Sequence, residues 1–439
     1  MPEMHDPDKE RGENRRFINE KVVKVNKPLT GGQIAKRALA LSFGAVLFGV
    51  VAALSFVVSR PFMERFFSEA TPEESSISIP KDDPAEPTAA VSAEESETET
   101  TQEPIRDVVQ SAMENYQFTV SDLNAMMGAL RTQVQKADKG IVTVHAVQQE
   151  TDWFDNPVET SGLYAGAVIA NTSVELLILT PEEATLQADS IKVTFVDGRD
   201  ADAQIKQKDH TSGMAVLSVK RSDMEEITLN NVSTLPLGNS YVMREGDIVA
   251  AIGSPAGMVH SVDFGHVSYV MKNVQMVDQM GRIIYADLNA DLEKGTFVIN
   301  TAGELIGWAI EPQNEQQSDS MSQIMGVSGY KGILEKLSNG QEAPYFGIIG
   351  QSVTGAMGVE GLTMGVYVMN SVSDGPAYNA GIQNGDIITK VNDKDILSMR
   401  EFQTIIEGLK CGEDVVVTVQ RNGREEYTEL KFVVTIGVR

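Results

Sequence analysis

The chain has 439 residues, room for two or three domains of ordinary size. Its 62 acidic and 36 basic residues give a formal net charge of −26, a field that repels phosphate backbones, so nucleic acid is not an expected partner. A single cysteine, Cys411, rules out a disulfide scaffold and any multi-cysteine metal site, and no cofactor or metal is expected.

Residues 1–37 form a polar tail that carries Arg15, Arg16, Lys21, Lys24, Lys27, Lys36 and Arg37. The run that follows, Ala38 to Val58, contains no charge. At about 1.5 Å rise per residue, roughly 20 such residues cross the hydrocarbon core, so residues 38–59 are expected to be a transmembrane helix. A signal peptide is the rival reading. The long tail before the run and the bulky Arg60-Pro61-Phe62 after it count against cleavage. Basic residues before the span put the N-terminus in the cytoplasm, giving a single-pass cell-membrane protein with its main domains outside. Residues 60–104 turn to Glu, Ser, Thr, Pro and Ala, the composition of a disordered acidic stalk.

Between Ile105 and Gly140, apolar residues at mixed three- and four-residue spacings predict one or two short helices, with Met127 and Leu130 as packing surface. The period then changes. IVTVHAV, AGAVIA, VELLILT, IKVTFVDG, AVLSVK, DIVAAIG, TFVIN and LIGWAI are short Val/Ile-rich runs broken by Gly, Asp, Asn and Ser, a pattern of an all-β sandwich or barrel. KGIVTV, the strand pair ending LILT, VTFVDGRDADAQIKQKDHTSGMAVLSV, GDIVAAIGSPAGMVHSVDFGHVS and FVINTAGELIGWAI come in the order seen in HtrA/Deg proteases, which this region resembles. The resemblance implies a trypsin-type double β-barrel over residues 105–338.

It also implies where a catalytic triad would stand. An active member needs a His base, an Asp that orients it and a Ser nucleophile beside oxyanion donors. By the family's pattern the His place falls on Glu183 (in LTPEE), the Asp place on Gly213 (in DHTSGMAVL) and the Ser place on Lys294 (in LEKGT). A shift of one residue restores neither His nor Ser. The histidines His5, His145, His210, His260 and His266 lie elsewhere and read as surface or strand residues. If the fold is kept, Glu183 and Lys294 are expected to approach each other and pair across the old cleft. A Ser–Lys dyad on Lys294 lacks a nominated nucleophile.

Past the connector EKLSNGQEAP, the segment GVYVMNSVSDGPAYNAGIQNGDIITKVNDKDI and the helical SMREFQTIIEGL resemble an HtrA-type PDZ domain over residues 344–439. The resemblance implies β-augmentation by a peptide C-terminus whose carboxylate enters a nest of backbone N–H groups. That nest would be Tyr345-Phe346-Gly347-Ile348, with Phe402, Ile405 and Ile406 on the facing helix wall. Cys411 is expected to be a turn or core residue rather than a reactive thiol. The expected whole is a mainly β, membrane-anchored HtrA-like pseudoprotease that binds peptides or unfolded proteins, as a homotrimer or beside active relatives. An active endopeptidase of misfolded envelope proteins and a structural stalk protein are the alternatives.

Overall fold

The computed structural model describes residues 76–83, 117–151, 157–186, 188–311, 321–353, 363–423 and 427–439. The chain divides into two units, Met1–Glu73 and Glu74–Arg439, and every described residue lies in the second. The expected span 38–59 is outside the described residues. Among those described, no helix is long and apolar enough to cross a membrane.

Helix α1 (Val120–Asp138) starts at Thr119, whose side chain accepts from the Asp122 N–H while the Asp122 carboxylate accepts from the Thr119 N–H. This reciprocal capping box satisfies two N–H groups that the first helical turn leaves bare. One helix therefore forms where one or two were expected, and residues 105–116 are not described. Val134 and Ala137 are its buried residues; Met127 is exposed and Leu130 half-buried, so the expected packing stripe is only partly used.

Twelve strands follow: β1 (Ile141–Thr151), β2 (Pro157–Asn171), β3 (Glu175–Pro181), β4 (Ser190–Thr194), β5 (Asp200–Asp209), β6 (Met214–Lys220), β7 (Ile248–Gly253), β8 (Asp263–Met276), β9 (Gln279–Ala286), β10 (Thr296–Asn300), β11 (Leu305–Ile310) and β12 (Ser322–Gly326). Among the described residues two short α-helices are interposed, α2 (Glu183–Leu186) after β3 and α3 (Glu226–Asn231) after β6. The first six strands close as a barrel in the order β1-β2-β3-β6-β5-β4, and the second six as β10-β11-β12-β9-β8-β7.

The uninterrupted apolar runs have a direct cause. Side chains alternate across a strand. In β3, Leu176 and Ile178 fill the first barrel with Val142, Val168 and Leu217. Leu177 and Leu179 point the other way, into a layer shared with Ile252, Phe297 and Trp308 of the second barrel. Both faces are dry, so both must be apolar. The second barrel has its own filling of Val249, Val267, Ile284, Val298 and Ile324.

Helix α4 (Lys331–Ser338) leads out of the second barrel to β13 (Pro344–Tyr345) and β14 (Ile348–Ser352), the first strands of the C-terminal domain. There follow β15 (Val366–Ser371), α5 (Pro376–Ala380), β16 (Ile387–Val391), β17 (Lys394–Asp395), α6 (Met399–Glu407), β18 (Asp414–Asn422), β19 (Tyr427–Thr435) and β20 (Gly437–Val438). The sheet runs β14-β15-β16-β18-β19, which leaves β14 on an edge, and β13 pairs with β20. Helix α6 starts at Ser398, whose hydroxyl accepts from the Glu401 N–H, and buries Met399, Phe402 and Ile406 on the sheet.

Within the expected acidic stalk, residues 76–83 depart from disorder and lie as a strap on this unit. The Ile77 N–H donates to Asn339 Oδ1 at 2.8 Å, and the Ile79 N–H to Glu335 Oε2 at 2.8 Å. Asp82 pairs at 2.8 Å with Lys331, whose side chain is 6% exposed. The reason is local: Ser76-Ile77-Ser78-Ile79 alternates like a strand inside an otherwise uniform tract, and Ile79 joins the layer between the barrels.

Candidate functional site

The first site is the cleft where the triad would stand. Glu183 opens the short α2 and is exposed, while its neighbour Glu182 is buried. Gly213 lies in the turn before β6 with φ +65°, its carbonyl accepting the Glu182 N–H at 2.8 Å. Lys294 lies in the turn before β10. Its carbonyl accepts the Ala165 N–H at 2.6 Å, and its ammonium donates to the Gly257 carbonyl at 3.4 Å.

The expected Glu183–Lys294 ion pair does not form; it is not among the salt bridges of the described residues, although both partners are described. Both side chains reach solvent, so neither carries a desolvation cost that a partner would have to offset. Tyr164 is the group the cleft perturbs. Burial pushes its hydroxyl above the ordinary tyrosine range, and the carboxylates of Glu183 and then Glu293 push it further.

The backbone at the Ser place is also engaged. In a protease this N–H would point at a developing oxyanion. Here the Lys294 N–H donates to Asp291 Oδ1 at 2.9 Å. Two residues on, the Thr296 hydroxyl donates to the Asp291 carbonyl at 2.9 Å. A carboxylate sits where negative charge would have to be received.

None of the described histidines supplies a base to these groups. His210 Nδ1 meets Glu182 Oε1 at 2.5 Å, His260 Nδ1 meets Asp138 Oδ1 at 3.0 Å, and His145 Nε2 meets Thr194 Oγ1 at 2.8 Å. His266 lies on β8, its carbonyl accepting the Asp287 N–H. The buried carboxylate beside the Asp place is Asp209. It accepts from the Tyr330 hydroxyl at 2.9 Å and faces the Arg439 guanidinium at 3.3 Å, so it is spent on packing the last residue against the first barrel.

The second site is the turn 345–348. Phe346 and Ile348 are fully buried, Tyr345 is half-buried, and Gly347 has φ +90°. That left-handed backbone turns consecutive N–H groups to one side, as glycine permits. Phe402 stacks edge-on against Phe346 with centroids 5.2 Å apart, Ile406 is buried beside it, and Ile405 packs at the margin. All seven residues expected at a peptide site thus fall in one neighbourhood, four of them in the domain core.

The nest holds a carboxylate from elsewhere in the chain. Asp278 stands at the tip of the β8–β9 hairpin with φ +62°. Its Oδ2 accepts from the Phe346 N–H at 2.8 Å and its Oδ1 from the Gly347 and Ile348 N–H groups at 2.9 and 3.0 Å. Its own N–H donates to the Ile348 carbonyl at 2.8 Å, and Val277 bridges Ile349 antiparallel. Burial pushes the Asp278 carboxyl above the usual range, against the pull of those N–H groups and of Arg439. Sequence reasoning missed Asp278 because the contact joins residues almost seventy positions apart and no local pattern marks it.

Beside this contact a cleft of about 890 Å³ runs between the second barrel and the α6–β14 wall. Its lining includes Arg282, Gln275, Gln351, Arg400 and Gln403.

Comparison with known proteins agrees with this two-part construction. The trypsin-like peptidase domain family matches residues 161–307 and the PDZ domain family residues 347–432. The serine endoprotease DegS of Haemophilus influenzae is 26% identical over 317 residues, covering 70% of this chain and 87% of that protein. The serine protease Do-like HtrA of Bacillus subtilis is 28% identical over 292 residues, 62% of this chain and 64% of that protein. Among solved structures, the HtrA-type protease AlgW with a decapeptide superposes with a TM-score of 0.50 at 20% identity, over 71% of this chain and 98% of that one, a likeness of fold. The similarity is to HtrA/Deg trypsin-like serine proteases that carry a PDZ domain.

Proposed function

We propose that this chain, built as a trypsin-like peptidase domain followed by a PDZ domain in the manner of the HtrA/Deg proteases, is a pseudoprotease that receives polypeptide C-termini in its PDZ groove. Its setting is the cell envelope, with residues 38–59 as the membrane anchor and the folded unit outside. Its role there is that of an adaptor or holder in protein quality control.

The observation that carries the reading is the chemistry at the three triad places. Glu183 and Lys294 bear charges where a neutral imidazole and a hydroxyl are needed, Gly213 bears no side chain, and Asp291 takes the N–H at the Ser place. General-base catalysis needs a nucleophile within hydrogen-bond reach of its base. The described histidines reach carboxylates, a threonine hydroxyl or the surface instead. What speaks for peptide reception is the N–H nest at 345–348 with an edge strand, β14, leading from it.

The test uses the full chain and two probes. A fluorophosphonate that tags activated serines is expected to leave the protein unlabelled. A peptide library with free C-terminal carboxylates is expected to be retained, and the same library as C-terminal amides to be lost. Labelling that a single Ser→Ala change abolishes would establish an active endopeptidase instead.

A further inference from the structure

The β8–β9 hairpin leaves the second barrel and lies against the PDZ groove in the sense of a bound peptide. Three features give it that character. The chain direction is right: Val277 pairs antiparallel with Ile349 on the open edge of β14, so the hairpin runs toward the nest as an augmenting strand does. The terminal group is right: both Asp278 oxygens accept from the Phe346, Gly347 and Ile348 N–H groups at 2.8–3.0 Å. An apolar side chain follows: Met280, on β9, packs against the cluster of Phe346, Ile348, Phe402 and Ile406.

The contact is held rather than casual. Asp278 is 3% exposed and sits in the left-handed region, which aspartate tolerates better than most residues. The Val277 carbonyl accepts from Arg439 at 3.4 Å, and that guanidinium also faces the buried Asp209. The last residue of the chain thus ties the hairpin tip to the first barrel.

We propose that Asp278 and Met280 are a built-in occupant of the PDZ groove, the side-chain carboxylate standing in for a ligand's terminal carboxylate, so that incoming C-termini bind only by displacing the hairpin. This rests on the reading of the PDZ domain as a peptide receiver and adds its regulation. It also names the kind of partner: a chain ending in a free carboxylate, with an apolar, unbranched side chain at or near its end to replace Met280.

The energetic consequence is a competition. When the receptive form is only a fraction of the population, the apparent dissociation constant is the intrinsic one divided by that fraction. Charge-assisted N–H bonds to a carboxylate are stronger than neutral ones, so losing the Asp278 charge should empty the nest.

The experiment measures fluorescence anisotropy of a labelled octapeptide, residues 270–277 with a free C-terminal carboxylate, on the full chain. Asp278→Ala is expected to bind it at least tenfold more tightly than wild type, Asp278→Asn less so because one acceptor remains, and the C-terminally amidated peptide with neither gain. Hydrogen exchange of the Phe346–Ile348 amides is read in parallel, with protection in wild type and fast exchange in Asp278→Ala. Equal affinity of wild type and Asp278→Ala for the free-acid peptide would overturn the proposal, as would unchanged protection of those amides. If the amides open in Asp278→Ala and no carboxylate-ended peptide from a library binds, the occupant stands and the peptide-receiving function falls.

Discussion

At the scale of single residues, the triad places show how much chemistry a position keeps when its side chain changes. Replacing Lys294 by Ser restores a hydroxyl but leaves it beside Asp291 and without an imidazole, so Lys294→Ser is expected to gain no fluorophosphonate labelling. The residue types at these places were legible in the sequence; their partners were not. Opposite charges at Glu183 and Lys294 suggest a pair, which does not form because both side chains reach water while the backbone of the Ser turn is held by Asp291, a residue that no charge count singles out. Cys411 illustrates the opposite case. Burial, and then the carboxylate of Glu342, push its thiol above the ordinary cysteine range. Since the thiolate is the nucleophile, iodoacetamide should modify Cys411 more slowly at pH 7.5 than it modifies glutathione, with the rate climbing only at higher pH. A rate equal to or above that of glutathione would contradict this.

At the scale of elements, the Val/Ile-rich runs mark the strands buried along almost their whole length, β3, β6, β7, β10 and β11. Strand β5 shows why others were harder. It reads DADAQIKQKD, and only Ala201 and Asp209 are buried, so its pairing is set by its neighbours β4 and β6 rather than by its own pattern. The strap 76–83 was hidden for a related reason, because a few alternating residues inside a long acidic tract do not outweigh its composition. Its stability is testable. Asp82→Ala leaves the buried Lys331 ammonium without its carboxylate and takes an acceptor from the Ser328 hydroxyl. Breaking one half of a buried pair costs about 3 kcal/mol. The variant should unfold at lower denaturant, and trypsin should cut sooner after Lys81. In helix α6, Phe402→Ala removes the ring stacked on Phe346 and should cost about 3–5 kcal/mol in chemical denaturation.

At the scale of the whole molecule, the two domains are joined by more than their connector. The hairpin tip enters the PDZ nest, Arg439 returns to Asp209 on the first barrel, and the strap ties Arg400 of α6 and Lys331 of α4 through Asp83 and Asp82. These contacts span 230 or more residues in the case of Arg439 and the strap, and such pairings leave no trace in local periodicity. The double barrel and the PDZ domain were thus readable from patterning and resemblance, whereas their mutual fastening was not. Removing the Asp209 carboxylate should loosen this fastening. Asp209→Ala is expected to expose the amides of Phe346–Ile348 to faster hydrogen exchange, although the substitution is in the other domain, because Arg439 loses its anchor.

As proposed above, this trypsin-like fold receives polypeptides without cutting them. The most direct measurement is mass spectrometry of unfolded casein after prolonged incubation with the full chain, counting new N-termini against a blank without protein. No excess of new termini is expected, while casein is still retained by the protein. An excess that one Ser→Ala or Thr→Ala change removes would contradict it and would place a working nucleophile in a cleft that the triad positions leave without one.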